Sequence, residues 1–157
     1  MAEVRKFLVV ADGSDESRTA AYFAARRARN TGGAVILLAV AQTEGGFEHW
    51  LGVGEAMRAE AREAAEEALD SLAEDVEGVT GARPELVMRE GALPACLRAL
   101  VEEDDAIAIL VLGAAADGEP GPLVSALSRA KGLFGQRQIP VTVVPGGLSR
   151  DALKALS

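Results

Sequence analysis

Five short, largely apolar runs punctuate the chain: Phe7–Ala11, Ala34–Ala41, Leu86–Met88, Ala106–Leu112 and Val141–Val144. The second and fourth carry no polar alternation, which is the pattern of strands covered on both faces. Helical spacing fills the intervals. Ser14 is suited to N-cap a first helix ending near Thr31. Asp15 and Glu16 sit at its positive end, Arg26, Arg27 and Arg29 near its negative end, and Gly32-Gly33 beyond it. A second helix is expected from about Glu55 to Val76. Met57, Ala61, Ala65, Ala68, Leu72 and Val76 form its apolar stripe, and Arg58, Glu60, Arg62, Glu63, Glu66 and Glu67 its solvated face. Leu93, Cys96, Leu97, Leu100 and Val101 mark a third helix, with Pro94 in its first turn. A fourth is expected from about Pro122 to Lys131. Ser149 is placed to cap a last one carrying Leu153 and Leu156.

Strands and helices therefore alternate. Right-handed crossovers turn such an order into an α/β fold, an open five-stranded parallel sheet with helices on both faces. Nothing divides the chain, so one domain is expected over residues 1–157, with its core at 5–145 and a C-terminal helix at 149–156. In such sheets ligands bind beyond the carboxyl ends of the strands, where strand order reverses. The loops after the first and fourth strands are the places to look for function.

Composition narrows the chemistry. The 157 residues include one Cys, one His and one Trp, and the formal charge is −8. One Cys excludes an internal disulfide and any CxxC metal or redox motif. Cys96 on an apolar stripe reads as a core thiol, and His49 alone makes no metal site. Lys and Arg are outnumbered and dispersed, so nucleic-acid binding lacks its electrostatic basis. The first apolar run is too short for a signal or a membrane span, and a cytoplasmic protein is expected. No G-x-G-x-x-G, P-loop or G-x-S-x-G motif is present. A receiver domain would need an Asp after the third strand and a Lys after the fifth. The chain has Arg89-Glu90 and Pro145-Gly146-Gly147 there.

Phe7–Ser14, which ends Ala11-Asp12-Gly13-Ser14, with Glu16-Ser17 following, resembles the V-D-G-S-x-x-S opening of the universal stress protein family. Arg89-Glu90-Gly91, the third helix and Ala108–Gly113 resemble its middle block. Ile139-Pro140-Val141-Thr142-Val143-Val144 resembles its last strand. The resemblance implies a Rossmann-like fold of the adenine nucleotide alpha hydrolase type with strand order 3-2-1-4-5. It further implies a homodimer, and members with or without bound ATP and Mg.

ATP-binding members resemble G-x2-G-x9-G-[S/T] after the fourth strand. Gly113 matches the first glycine, but Ala116 stands at the second. Ala126 and Leu127 follow at the third glycine and the hydroxyl, unless a small shift brings in Val124 and Ser125. Three alanines, Ala114–Ala116, restrict the turn, and Asp117 and Glu119 would repel a polyphosphate. Gly121 and Pro122 could build another turn, and the following helix start offers N–H groups. The resemblance places a nucleotide at Ala11, Asp12, Val40, Gly113, Ala116, Gly121 and Ser125. The residues themselves also read as a turn at Asp12, core at Val40 and a helix serine at Ser125.

The expected function is thus a non-catalytic stress-response module with a degenerate nucleotide loop, and adenine-nucleotide binding is the alternative. Val141, Thr142, Val143 and Val144 form an apolar edge whose exposure favours aggregation. Pairing of two copies across it would resolve that. Trp50, in the long Gln42–Gly54 loop, reads as an anchor on the surface or a lid over the cleft.

Overall fold

The computed structural model describes residues 3–42, 54–117, 124–125 and 134–157. The elements run β1 (Lys6–Val10), α1 (Asp15–Thr31), β2 (Ala34–Ala41), α2 (Gly54–Thr80), β3 (Glu85–Glu90), α3 (Leu93–Glu103), β4 (Ile107–Gly113), β5 (Val141–Val144) and α4 (Arg150–Leu156). All strand pairs are parallel and the order is β3-β2-β1-β4-β5, as expected.

The continuous apolar runs have a direct cause. Successive side chains on a strand point to opposite faces, and both faces are covered. Phe7, Val9, Val35, Leu37, Ala39 and Val111 pack with α1, α2 and α4 on one face. Leu8, Val10, Ile36, Leu38, Leu110 and Leu112 pack with α3 on the other. Helix α1 meets its face through a seam of small residues, Ala20, Ala21, Ala24, Ala25 and Ala28, all fully buried. The caps form as their residues dictate. The Ser14 hydroxyl accepts from Ser17 N–H at 3.2 Å, and the Ser149 hydroxyl accepts from Ala152 N–H at 3.1 Å. Gly32 closes α1 at φ +73°, its N–H donating to the Ala28 carbonyl.

Two elements run longer than the sequence expectation. Helix α2 continues one turn beyond Val76, through Gly78, to Thr80. Val79 packs against the core, the Thr80 hydroxyl donates to the Val76 carbonyl, and Gly81 at φ +77° ends the helix. Strand β3 extends past Leu86–Met88 to Glu85 and Glu90, because its ladder follows Ile36–Ala41 of β2. The expected fourth helix, Pro122–Lys131, lies outside the described residues except at Val124 and Ser125, which are helical.

Segment 134–137 fastens the β5 side of the sheet to α3. The Arg137 guanidinium donates to the carbonyls of Val101 (2.9 Å), Asp104 (3.3 Å), Asp105 (2.9 Å) and Ile107. It thereby satisfies the open carboxyl end of α3 and the turn into β4, and puts a cation at the negative end of the helix dipole. At the amino ends of the strands, Lys6 lies between Asp104 (2.6 Å) and Glu85 (3.0 Å).

Candidate functional site

Strand order reverses at β1: β2 lies on one side and β4 on the other. The crevice beyond the carboxyl ends of β1 and β4 is thus the site expected of this architecture. Ala11 continues β1 by one residue; it is buried and its N–H donates to the Leu38 carbonyl at 2.8 Å. Asp12 is exposed at the rim. Its Oδ1 accepts from Ser14 N–H at 2.9 Å and from the Ser14 hydroxyl. That Asx turn needs Gly13, which sits at φ +81°. The Ser17 side chain is fully buried and donates to the Ser14 carbonyl at 2.9 Å. One carboxylate therefore orders the turn that starts α1.

The β4 side is closed by backbone. Gly113 is buried, and a Cβ there would lie 2.1 Å from the Glu16 carbonyl oxygen. The glycine thus lets the first turn of α1 rest directly on the end of β4. Ala114 N–H donates to the Val144 carbonyl at 2.9 Å. Gly146 faces the same loop: a Cβ on it would lie 2.3 Å from Ala114 O and 2.8 Å from Ala116 N. Ala114 and Ala115 are half-buried, whereas Ala116 and Asp117 are exposed.

The remaining candidates are dispersed. Val40 is half-buried, pairs with Arg89 in the β2–β3 ladder and packs on the α3 face. Ser125 is half-buried in its helical turn, and neighbouring Val124 packs against the α3-face core. Gly121, Ala126, Leu127, Glu119, His49 and Trp50 lie outside the described residues. The structure thus brings Ala11, Asp12 and Gly113 together around the first turn of α1, with the Ala116 loop beside them. Sequence reasoning missed Glu16 and Gly146, the two backbones that shape this end. Their spacing from Gly113 and Ala114 along the chain carries no signal of contact.

The chemistry available is limited. Burial raises the Cys96 thiol above its ordinary pKa, against the opposing charge of Arg89, so a thiolate is disfavoured. Its Sγ donates to the Glu90 carbonyl at 3.7 Å. Among the described residues no three His, Cys, Asp or Glu side chains are grouped to hold a metal. No helix among them is long and apolar enough to cross a membrane. Among the described residues the arrangement offers backbone groups, small hydroxyls and a carboxylate.

Residues 3–145 match the sequence profile described as the universal stress protein family. Among curated proteins no sequence matches. Solved structures share the fold. A universal stress protein UspA from Lactobacillus plantarum superposes with a TM-score of 0.68 at 16% identity, over 92% of this chain and 99% of that one. A universal stress protein from Archaeoglobus fulgidus gives 0.65 at 20% identity, over 89% and 93%. A structure of the universal stress protein from the same organism in complex with dAMP gives 0.61 at 21% identity, over 92% and 99%.

Proposed function

The chain belongs to the universal stress protein family, and on that premise we propose a non-catalytic stress-response module whose β4 loop does not serve a nucleotide polyphosphate. It acts by forming a homodimer and engaging a protein partner. The observation that carries this reading is the closed end of β4. Phosphate cradles need N–H groups that a ligand can approach without a Cβ in the way. Here Gly113 is filled by the Glu16 carbonyl and Gly146 by Ala114–Ala116. The residue left exposed at the turn is Ala116, which carries a Cβ, and Asp117 beside it repels phosphate. Asp15 and Glu16 add two carboxylates at the start of α1. The residues present do not fit ATP.

A second reading has its own support. The Archaeoglobus fulgidus relative of the same fold was solved with dAMP. A monophosphate asks for fewer N–H donors than a triphosphate, and exposed Asp12 stands where the family resemblance places a base or ribose. In this reading the module responds to an adenine mononucleotide without cleaving it.

Thermal-shift titration with ATP, AMP, dAMP and adenosine, with and without Mg²⁺, tests both. A ligand at 100 times its Kd stabilises by about 2.7 kcal/mol. The expected result is no shift with ATP at millimolar concentration. A saturable ATP shift overturns the first reading. A shift with dAMP or AMP alone selects the second.

A further inference from the structure

The sheet has another opening, at the amino ends of its strands. There β1 and β4 change register: Lys6 faces Ile107, but Phe7 faces Ile109, so Ala108 is an extra residue on β4. Such a bulge bends the strand and re-aims its side chains. On the α1 side, helix α1 has already ended at Thr31, and α4 is only seven residues long. A cleft of about 570 Å³ is left at this place, within the roughly 300–1,000 Å³ usual for small-molecule sites.

The cleft has two kinds of wall. Phe7, Ala108, Ile109 and Pro140 give it an apolar lining. Arg5 and Arg27 stand at it as cations, with Glu3 as its one acid. Among the described residues neither arginine is in an ion pair. Arg27 Nη1 donates at 3.3 Å to the main-chain oxygen of Ser157, the last residue of the sequence. Neighbouring Lys6 behaves differently, since Glu85 and Asp104 occupy its ammonium. In a chain of net charge −8, two guanidiniums gather here beside an apolar surface, with Glu3 at the same cleft.

We propose that this cleft binds a small amphipathic anion. A flat or short apolar body would lie against Phe7 and Ile109, and its carboxylate or sulfonate would be met by Arg5 and Arg27. Guanidinium suits this role because its planar fork matches a carboxylate and it is weakly hydrated, so it tolerates an apolar neighbour. This site is separate from the crevice at Asp12, at the other end of the strands, and does not rest on nucleotide binding there.

The test uses the full chain with two probes, 8-anilino-1-naphthalenesulfonate by fluorescence and 2-naphthoate by calorimetry. The expected result is saturable binding of one probe per chain, unaffected by ATP or dAMP. A charge-assisted hydrogen bond is worth about 1.5–3 kcal/mol, so the Arg5→Gln/Arg27→Gln variant should bind either anion about tenfold more weakly or worse. Neutral 2-naphthol should bind both proteins alike, which separates lost charge from a damaged fold. Absence of saturation at about 1 mM probe, equal anion affinity in the variant, or displacement of the probe by nucleotide would each overturn the proposal.

Discussion

Gly113 and Gly146 illustrate how much of a site is decided by a missing methyl group. A Cβ at Gly113 would meet the Glu16 carbonyl at 2.1 Å, and backbone cannot yield as a flexible side chain does. Gly113→Ala should therefore cost about 1–3 kcal/mol, as overpacking does, and shift the urea midpoint down with an unchanged m-value. In sequence, the family resemblance reads Gly113 as the first glycine of a phosphate loop, while a glycine after a strand is common in any turn. The structure gives it a packing partner that only three dimensions reveal. Asp12 was better marked: a carboxylate before Gly-Ser at a strand end signals a turn, and it orders Ser14 as that signal implies. Lys6 and Asp104 support a prediction on pH. Burial pushes the Asp104 carboxyl up, but the Lys6 hydrogen bond, the Ala106 N–H and the charges of Lys6 and Arg137 outweigh it. The net pKa lies below the ordinary value. For Lys6, the hydrogen bond to Asp104 raises the pKa against a smaller cost of burial, and Glu85 adds to the rise. A depressed carboxyl stabilises above about pH 4 and loses that contribution as pH falls through its folded value. A raised ammonium stabilises below about pH 10 and loses it as pH climbs through its own. The stability gap between the natural chain and Asp104→Asn should be flat from about pH 5 to 9 and narrow below about pH 4. Urea midpoints at several pH values measure it.

At the scale of elements, binary pattern was a good guide wherever burial was two-sided or strictly periodic. Strand β2 and helix α3 lie within a residue or two of where Ala34–Ala41 and the Leu93–Val101 stripe put them. It failed where tertiary packing overrode a local preference. The apolar stripe was followed only to Val76, yet Val79 packs on the core beyond it and the helix runs on through Gly78 to Thr80. Strand β3 is an edge, and edge strands carry charges, so Glu85, Arg89 and Glu90 hid its length from an apolar criterion. Arg137 gave no sequence signal, because its partners are backbone carbonyls from α3 and the turn after it. Its role is now specific. Arg137→Ala strips charged donors from Val101, Asp104, Asp105 and Ile107 and should cost about 1.5–3 kcal/mol. Lysine cannot span these carbonyls with one ammonium, so Arg137→Lys should recover little of the loss. Hydrogen exchange should show the damage concentrated at the carboxyl end of α3 and the start of β4.

For the whole molecule, the alternation of elements and the right-handed crossover rule limited the choice of topology, and the family resemblance supplied the order β3-β2-β1-β4-β5. What the pattern could not supply is which copies meet. Strand β5 is an edge with Val143 43% exposed and Val141 and Thr142 half-buried. On the proposed reading two chains bury this edge, and light scattering at micromolar concentration should give twice the 16.3 kDa chain mass. A monomer mass there would sink the dimer. Val143→Lys should shift the equilibrium towards monomer, since a charge on an edge strand opposes pairing. The position of β1 has one more consequence, for synthesis. It is the central strand, yet the chain reaches β4, its second neighbour, only after β2 and β3 have been made. While the ribosome adds the residues between Ala41 and Ile107, at about 5–20 residues per second, β1 has one side paired and the other open for roughly 3–13 s. The middle of the finished sheet is therefore, for that interval, the outer boundary of the nascent one.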